Sequence, residues 1–171
     1  VAQMQAGERV LVTSAAGPVG ATAGQLAKIW GAGHVVGIAG GAEKCRWLTE
    51  ECGFDAALDY KAPDFDAQFA AASADGWDVL FDNVGNASVD RALPVMRMKG
   101  RIVISGQVAD YNLTPQDAPG IHHTREFIGK RLRMEGLVVF DDLPQFPAAQ
   151  AELAGLIRAG KVRYREEIFE G

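Results

Sequence analysis

Short apolar runs alternate with stretches of helical periodicity along the whole chain. Residues 9–13, 34–39, 56–60, 78–82 and 101–105 each read as a strand bounded by turn residues. Val19, Ala23, Leu26, Ala27 and Trp30 recur at helical spacing and predict a first helix, ended by Gly31 and Gly33. Further helices are predicted over 43–52, closed by Gly53 at its C′ position, over 65–72, and over 88–96, where Pro94 strains the last turn. Beyond a polar segment at 106–120, the pattern predicts a short helix over 121–129 and a sixth strand over 131–140. An amphipathic helix over 144–159, ended by Gly160, and a final strand over 162–169 complete the reading. Strands joined by helical crossovers predict an α/β fold. The expected form is a doubly wound, parallel six-stranded sheet in the order 3-2-1-4-5-6, with helices on both faces.

Length, charge and cysteine usage narrow the class. The 171 residues suit one domain with a sizeable core. A net charge of −5 with no Lys/Arg cluster argues against a nucleic-acid partner. No apolar run is long enough to cross a bilayer, so no membrane partner is expected. Cys45 and Cys52 fall in one predicted helix, roughly 10 Å apart along its axis, too far for a disulfide. Reduced cysteines and the lack of a signal-peptide pattern predict a cytoplasmic protein. The chain runs from Val1 to Gly171 with predicted strands close to both ends, which reads as a piece of a longer protein.

The segment Ser14-Ala15-Ala16-Gly17-Pro18-Val19-Gly20 follows the first strand and opens the first helix, where a dinucleotide fold places its phosphate-binding turn. Gly17 would let backbone N–H groups approach a pyrophosphate, and Gly20 would let the helix pack closely on its strand. The helix N-terminus adds unpaired donors and a partial positive charge. Ala15 stands where G-x-G-x-x-G has its first glycine. The end of strand two reads Ala39-Gly40-Gly41, with no carboxylate until Glu43. A carboxylate there, about 4 Å from a ribose 2′-phosphate, would cost about 4 kcal/mol per unit of phosphate charge at an effective dielectric of 20. Its absence leaves room for NADP. Lys44 could supply the matching point charge, although spacing alone leaves equally open a solvated residue in the first turn of a helix. Arg46 is the weaker candidate.

Other chemistry is thinner. The 106–120 segment, with Pro115 and Pro119, is long enough to suggest a functional loop. His122-His123 lacks the further ligands of a metal site, so no metal ligand is assigned and a solvated pair at a helix start is preferred. Asp82 reads as a hydrogen-bonding structural carboxylate. Asp141-Asp142 fits no calcium loop, and no G-x-S-x-G elbow is present. Tyr60-Lys61 lacks the spacing of a short-chain dehydrogenase pair.

An ordered set of motifs resembles one family. It comprises the 14–20 turn, Gly24-Gln25-Leu26-Ala27-Lys28, Val36-Gly37-Ile38-Ala39-Gly40, Glu43-Lys44 and Phe54-Asp55-Ala56-Ala57. Phe81-Asp82-Asn83-Val84-Gly85, Gly100-Arg101-Ile102-Val103-Ile104-Ser105-Gly106, Tyr111-Asn112 and Arg133-Met134-Glu135-Gly136 continue it. Together they resemble the Rossmann cofactor domain of medium-chain dehydrogenases/reductases. The branch resembled is that of the zinc-independent, NADPH-dependent alkenal/one oxidoreductases, which includes prostaglandin and curcumin reductases. In that branch alanine at the position of Ala15 is usual, whereas Ser105 sits where some members carry cysteine.

The resemblance implies NADP(H) as cofactor. It places Gly17, Pro18, Val19 and Gly20 at the pyrophosphate, Lys44 and Tyr60 at the 2′-phosphate, and Asn83 beside the cofactor. Ser105, Gly106, Gln107, Val108 and Tyr111 would line the nicotinamide end, with Leu137, Val138 and Val139 beside the ring. Asn83, Ser105 and Leu137 all fall at C-terminal strand ends, where open α/β sheets bind ligands. Asn83 also suits a plain turn, Tyr60 a surface cap, and Tyr111 a loop anchor. Tyr111 is the candidate catalytic hydroxyl. The implied activity is reduction of a C=C bond conjugated to a ketone or aldehyde, with a small-molecule substrate and a homodimer. Residues 1–161 would form the cofactor domain, and 162–171 would begin the return to a separate catalytic domain. A quinone oxidoreductase and a non-catalytic NADP-binding module are the alternatives. An S-adenosylmethionine methyltransferase would want an acid where Gly40 stands.

Overall fold

The computed structural model describes residues 2–114, 116–166 and 168. Six parallel strands run in the order β3-β2-β1-β4-β5-β6. They are β1 (Arg9–Val12), β2 (His34–Ala39), β3 (Ala56–Asp59), β4 (Trp77–Asp82), β5 (Met96–Ile104) and β6 (Arg133–Gly136). The crossover helices are α1 (Pro18–Ile29), α2 (Ala42–Glu50), α3 (Phe65–Ala72), α4 (Asn86–Ala92) and α5 (Arg125–Lys130), and α6 (Phe146–Arg158) follows the sheet. The order reverses between β1 and β4. That leaves a crevice at the C-terminal ends of the central strands, where ligands bind in such sheets.

Alternation along β1 divides the core. Val10 and Val12 face one side with Val35, and α1 and α2 cover them through Ala21, Ala27, Trp47 and Leu48. Leu11 faces the other side with Val36, Leu80 and Ile102, where α3 and α4 contribute Phe69, Val89 and Ala92. Leu11 and Leu80 are essentially inaccessible to solvent. Truncating either to Ala would cost about 2–5 kcal/mol. The doubly wound architecture is therefore as expected.

Three predicted elements end differently. The fourth helix stops at Ala92, because Pro94 cannot continue its hydrogen bonding. Leu93–Val95 becomes a 3₁₀ turn, and β5 starts at Met96, ahead of the expected residue 101. The sixth strand is only Arg133–Gly136. Arg131 closes α5 in the left-handed conformation (φ 51°), and Val139–Gln145 turns into 3₁₀ structure.

The predicted strand at 162–169 does not form over 162–166, while Glu167 and Phe169 lie outside the described residues. There the α1 side chain of Gln25 takes the place of a neighbouring strand. Its Nε2 donates to the Arg163 carbonyl at 2.9 Å, and its Oε1 accepts from the Arg163 N–H at 2.6 Å. Val162 is buried beside this clamp.

Among the described residues, no helix is long and apolar enough to cross a membrane. Cys45 and Cys52 are both free thiols, and burial pushes the Cys52 thiol up to about 11.

Candidate functional site

A buried polar network positions the turn after β1. Thr13 Oγ1 donates to Asp82 Oδ1 at 2.7 Å and accepts from the Asn83 N–H at 2.9 Å. Asp82 Oδ2 accepts from the Gly85 N–H at 2.8 Å and the Val84 N–H at 3.2 Å. Burial pushes the Asp82 carboxyl up from its ordinary range, against the lowering effect of its bonds from Thr13, Gly85, Ser88 and Val84. This carboxylate binds the ends of β1 and β4 together beneath the crevice, the structural role expected of it.

The turn itself depends on close approach. The Ser14 backbone is left-handed (φ 47°), and the Ala15 N–H donates to Ile38 O at 2.9 Å, fixing the turn to β2. Gly17 caps α1 with an ordinary extended backbone (φ −78°), so its value is the space it leaves rather than its conformational freedom. Pro18 follows at the first helical position, where a missing N–H costs nothing. A Cβ on Gly20 would stand 2.5 Å from Ser14 O and 2.9 Å from Ala15 Cα. Only glycine there lets the helix N-terminus sit against the turn.

Two adjoining clefts open on this turn and share Ser14, Gly17 and Val108. The larger, about 610 Å³, runs over the ends of β2 and β3 and is lined by Ala39, Gly40, Lys44, Tyr60, Lys61 and Arg91, among others. The smaller, about 270 Å³, lies over the ends of β4 and β5 and is lined by Pro18, Val19, Gly20, Asn83, Ser105, Gly106 and Tyr111. An elongated ligand would cross the helix N-terminus in passing from one to the other.

The larger cleft is shaped by small residues and one carboxylate. The Tyr60 ring rests on Gly40, where a Cβ would come within 2.8 Å of it. Asp59 Oδ1 accepts from the Gly41 N–H at 2.8 Å and the Lys61 N–H at 2.9 Å. Those two bonds hold the Asp59 carboxyl below its usual range. Lys44 stands in the first turn of α2, beside the acid-free end of β2. Across the cleft, the Arg91 guanidinium is ion-paired with Asp66 and lies 5.3 Å from the Phe65 ring centre.

The smaller cleft is zipped along its floor. Ser105 N–H and Gly106 N–H donate to Asp82 O at 2.8 and 3.3 Å, and Val108 N–H donates to Asn83 O at 3.1 Å. Asn83 Nδ2 donates to Thr13 O at 3.1 Å, so its amide braces the turn as well as facing the cleft. The exposed Tyr111 places its hydroxyl 3.4 Å from the Gln107 nitrogen, over Gly106. Residues 119–123 are held by α4. Asn86 Nδ2 donates to Pro119 O, and the His122 and His123 amides donate to Asp90 Oδ1 at 2.7 and 2.8 Å. His123 is thus engaged with Asp90, and among the described residues no group of three His, Cys, Asp or Glu could hold a metal ion.

Of the residues singled out in the sequence, Gly17, Pro18, Val19, Gly20, Lys44, Tyr60, Asn83, Ser105, Gly106, Val108 and Tyr111 line one or both clefts. Gln107, Leu137, Val138 and Val139 line neither. Gln107 serves the turn below Tyr111. Leu137 extends the ladder by donating to Ile104 O at 2.9 Å, and Val138 and Val139 stand exposed beyond it. The sequence reading missed Lys61, Phe65, Ser88 and Arg91 as lining residues. Adjacency to Tyr60 was the one local signal for Lys61.

Residues 18–155 match the family model described as zinc-binding dehydrogenase. The chain is 40% identical over its whole length to the NADPH-dependent curcumin reductase of Escherichia coli, and covers 50% of that protein. It is 40% identical, over 96% of its length, to the NADP-dependent 2-alkenal reductase of Nicotiana tabacum, of which it covers 48%. The crystal structure of CurA in complex with NADPH, from Vibrio vulnificus, superposes with a TM-score of 0.90 at 32% identity, covering all of this chain and 52% of that one. The chain thus spans about half the length of the curated relatives it matches.

Proposed function

The chain belongs to the zinc-binding dehydrogenase family, and we propose that it is the NADPH-binding half of a reductase of C=C bonds conjugated to a ketone or aldehyde. The observation that carries this reading is the cleft lined by both Lys44 and Tyr60, in which Ala39 and Gly40 stand at the end of β2 in place of the acid of an NAD-selective fold. The names of the curcumin and 2-alkenal reductases support the substrate class.

The residues present fit the cofactor. The Gly17–Gly20 segment leaves α1's N-terminal N–H groups open to a pyrophosphate, and Gly20 keeps them at the turn. Lys44 and Tyr60 would take the 2′-phosphate. Asn83, Ser105, Gly106 and Val108 would hold the nicotinamide riboside over the β4–β5 end, and Tyr111 would supply a hydroxyl there, for binding or for protonating the product. Leu137, Val138 and Val139 would close the ring's outer side once the rest of the protein is in place. When bound, NADPH supplies the hydride added to the β-carbon of the substrate. The chain's part is to fix the cofactor's orientation and to exclude water from one face.

We further propose that residues after 161 begin the return to a second domain that completes the substrate site. The exposed edge of β6 supports pairing with a second copy. A cytoplasmic location goes with the reduced thiols.

The test is an assay of the full-length protein for NADPH oxidation with an enone and, in parallel, a quinone. Turnover of the enone is expected. Activity on the quinone alone would replace this reading with that of a quinone reductase.

A further inference from the structure

The larger cleft contains a cation that the motifs did not single out. Lys61 lines it together with Lys44, Tyr60 and Gly40. Its backbone is fixed: the Lys61 N–H donates to Asp59 Oδ1, the same oxygen that accepts from the Gly41 N–H across the cleft mouth. One carboxylate therefore sets the spacing between the start of α2, which carries Lys44, and the end of β3, which carries Tyr60 and Lys61. The Lys61 ammonium lies 5.9 Å from the Tyr60 ring centre, on the face of the ring.

The other cation in this cleft is already engaged. Arg91 is paired with Asp66 and rests against the Phe65 and Phe69 rings. Among the described residues neither Lys44 nor Lys61 has a carboxylate within ion-pair distance. Lys44 and Lys61, neither in a close ion pair, line the cleft with the Tyr60 phenol. Asp59 acts on Lys61 electrostatically from the same strand end, and the two ammonium groups together still suit a phosphate monoester dianion. One lysine alone would leave a third to a half of that charge, which is about −1.5 to −2 at neutral pH, unmatched.

We propose that Lys61 is a second cation for the 2′-phosphate of NADP(H), acting from the β3 side while Lys44 acts from α2. This rests on the NADPH reading above and adds a specificity-determining residue to it. Asp59 is the positioning residue: its Oδ1 accepts from backbone N–H groups on both sides of the site.

The experiment uses 2′,5′-ADP and 5′-AMP as probes, titrated calorimetrically into wild type, Lys61→Gln, Lys61→Arg and Lys44→Ala, with thermal unfolding as the check on folding. Wild type is expected to prefer 2′,5′-ADP. Lys61→Gln is expected to weaken 2′,5′-ADP binding roughly tenfold and to reduce its salt dependence, leaving 5′-AMP binding unchanged. Lys61→Arg is expected to keep the preference. If wild type does not discriminate between the probes, the NADPH reading fails and this inference with it. If wild type discriminates and Lys44→Ala abolishes the preference while Lys61→Gln retains it, the role of Lys61 is overturned and the NADPH reading stands. An equal loss for both probes in a folded Lys61→Gln also overturns it, because a cation at the 2′-phosphate cannot weaken a ligand that lacks one.

Discussion

Ala15 and Gly37 share one space between the phosphate turn and β2: a Cβ built on Gly37 would stand 2.8 Å from the Ala15 Cβ. Ala15 is fully buried there, with its N–H bonded to Ile38 O. The methyl group that departs from the glycine motif is thus housed by a glycine on the neighbouring strand. Gly37→Ala should destabilise the chain by roughly 1–3 kcal/mol through overpacking. Combining it with Ala15→Gly should recover part of that loss, leaving the contacts of the new Cβ with Leu48 and Phe54 unrelieved. Urea unfolding of the two single variants and the double variant measures the coupling.

Gly17 and Gly20 should separate fold from binding. Gly20→Ala drives a Cβ against backbone at Ser14 and Ala15, so a loss of about 1–3 kcal/mol in stability is expected. Gly17→Ala meets Ser14 O at 3.3 Å in a backbone conformation that alanine adopts readily. Its stability should change by less than about 1 kcal/mol, while NADPH affinity falls because the methyl group stands where the pyrophosphate must approach. Unfolding and cofactor titration on the same two variants distinguish the effects.

Much of this region was legible because it is local. The turn, the acid-free end of β2 and the crossover pattern are each written in a few consecutive residues. Arg91 was missed because the cleft that gathers it is made by tertiary packing of β3, α3 and α4, which no local spacing records, whereas Lys61 was marked only by its adjacency to Tyr60. The 162–166 segment carries a strand-like apolar pattern. It was misread because its backbone partner is the Gln25 side chain, some 138 residues away in sequence. Pro94 was recognised as a strain, but its outcome, an earlier start to β5, depended on pairing with β4.

The buried Asp82 gives a pH signature. Its folded-state pKa is raised above the unfolded value, chiefly by desolvation. Its contribution to stability is therefore fully present below the unfolded value near 3.8 and is lost as the pH rises through the folded value. Asp82→Asn removes that titration. The stability of wild type relative to Asp82→Asn should fall as the pH is raised from about 4, as read by urea unfolding across pH. A difference that stays flat or grows with pH would contradict the raised value.

Tyr111 tests the nicotinamide end. In the full-length protein, Tyr111→Phe should lower kcat for the enone by about 100-fold or more if the hydroxyl delivers a proton, and NADPH affinity should stay close to wild type. A weaker NADPH affinity with kcat preserved would assign the hydroxyl to cofactor binding alone. Steady-state kinetics and cofactor titration on the same preparation separate the two.

The most direct measurement is calorimetric titration of NADPH and NADH into wild type and Lys44→Ala. Wild type should bind NADPH at least roughly tenfold more tightly than NADH, and Lys44→Ala should remove most of that preference without weakening NADH. Equal affinity for the two cofactors in wild type, or tighter binding of NADH, would contradict the assignment of the cleft at Lys44 and Tyr60 to a 2′-phosphate.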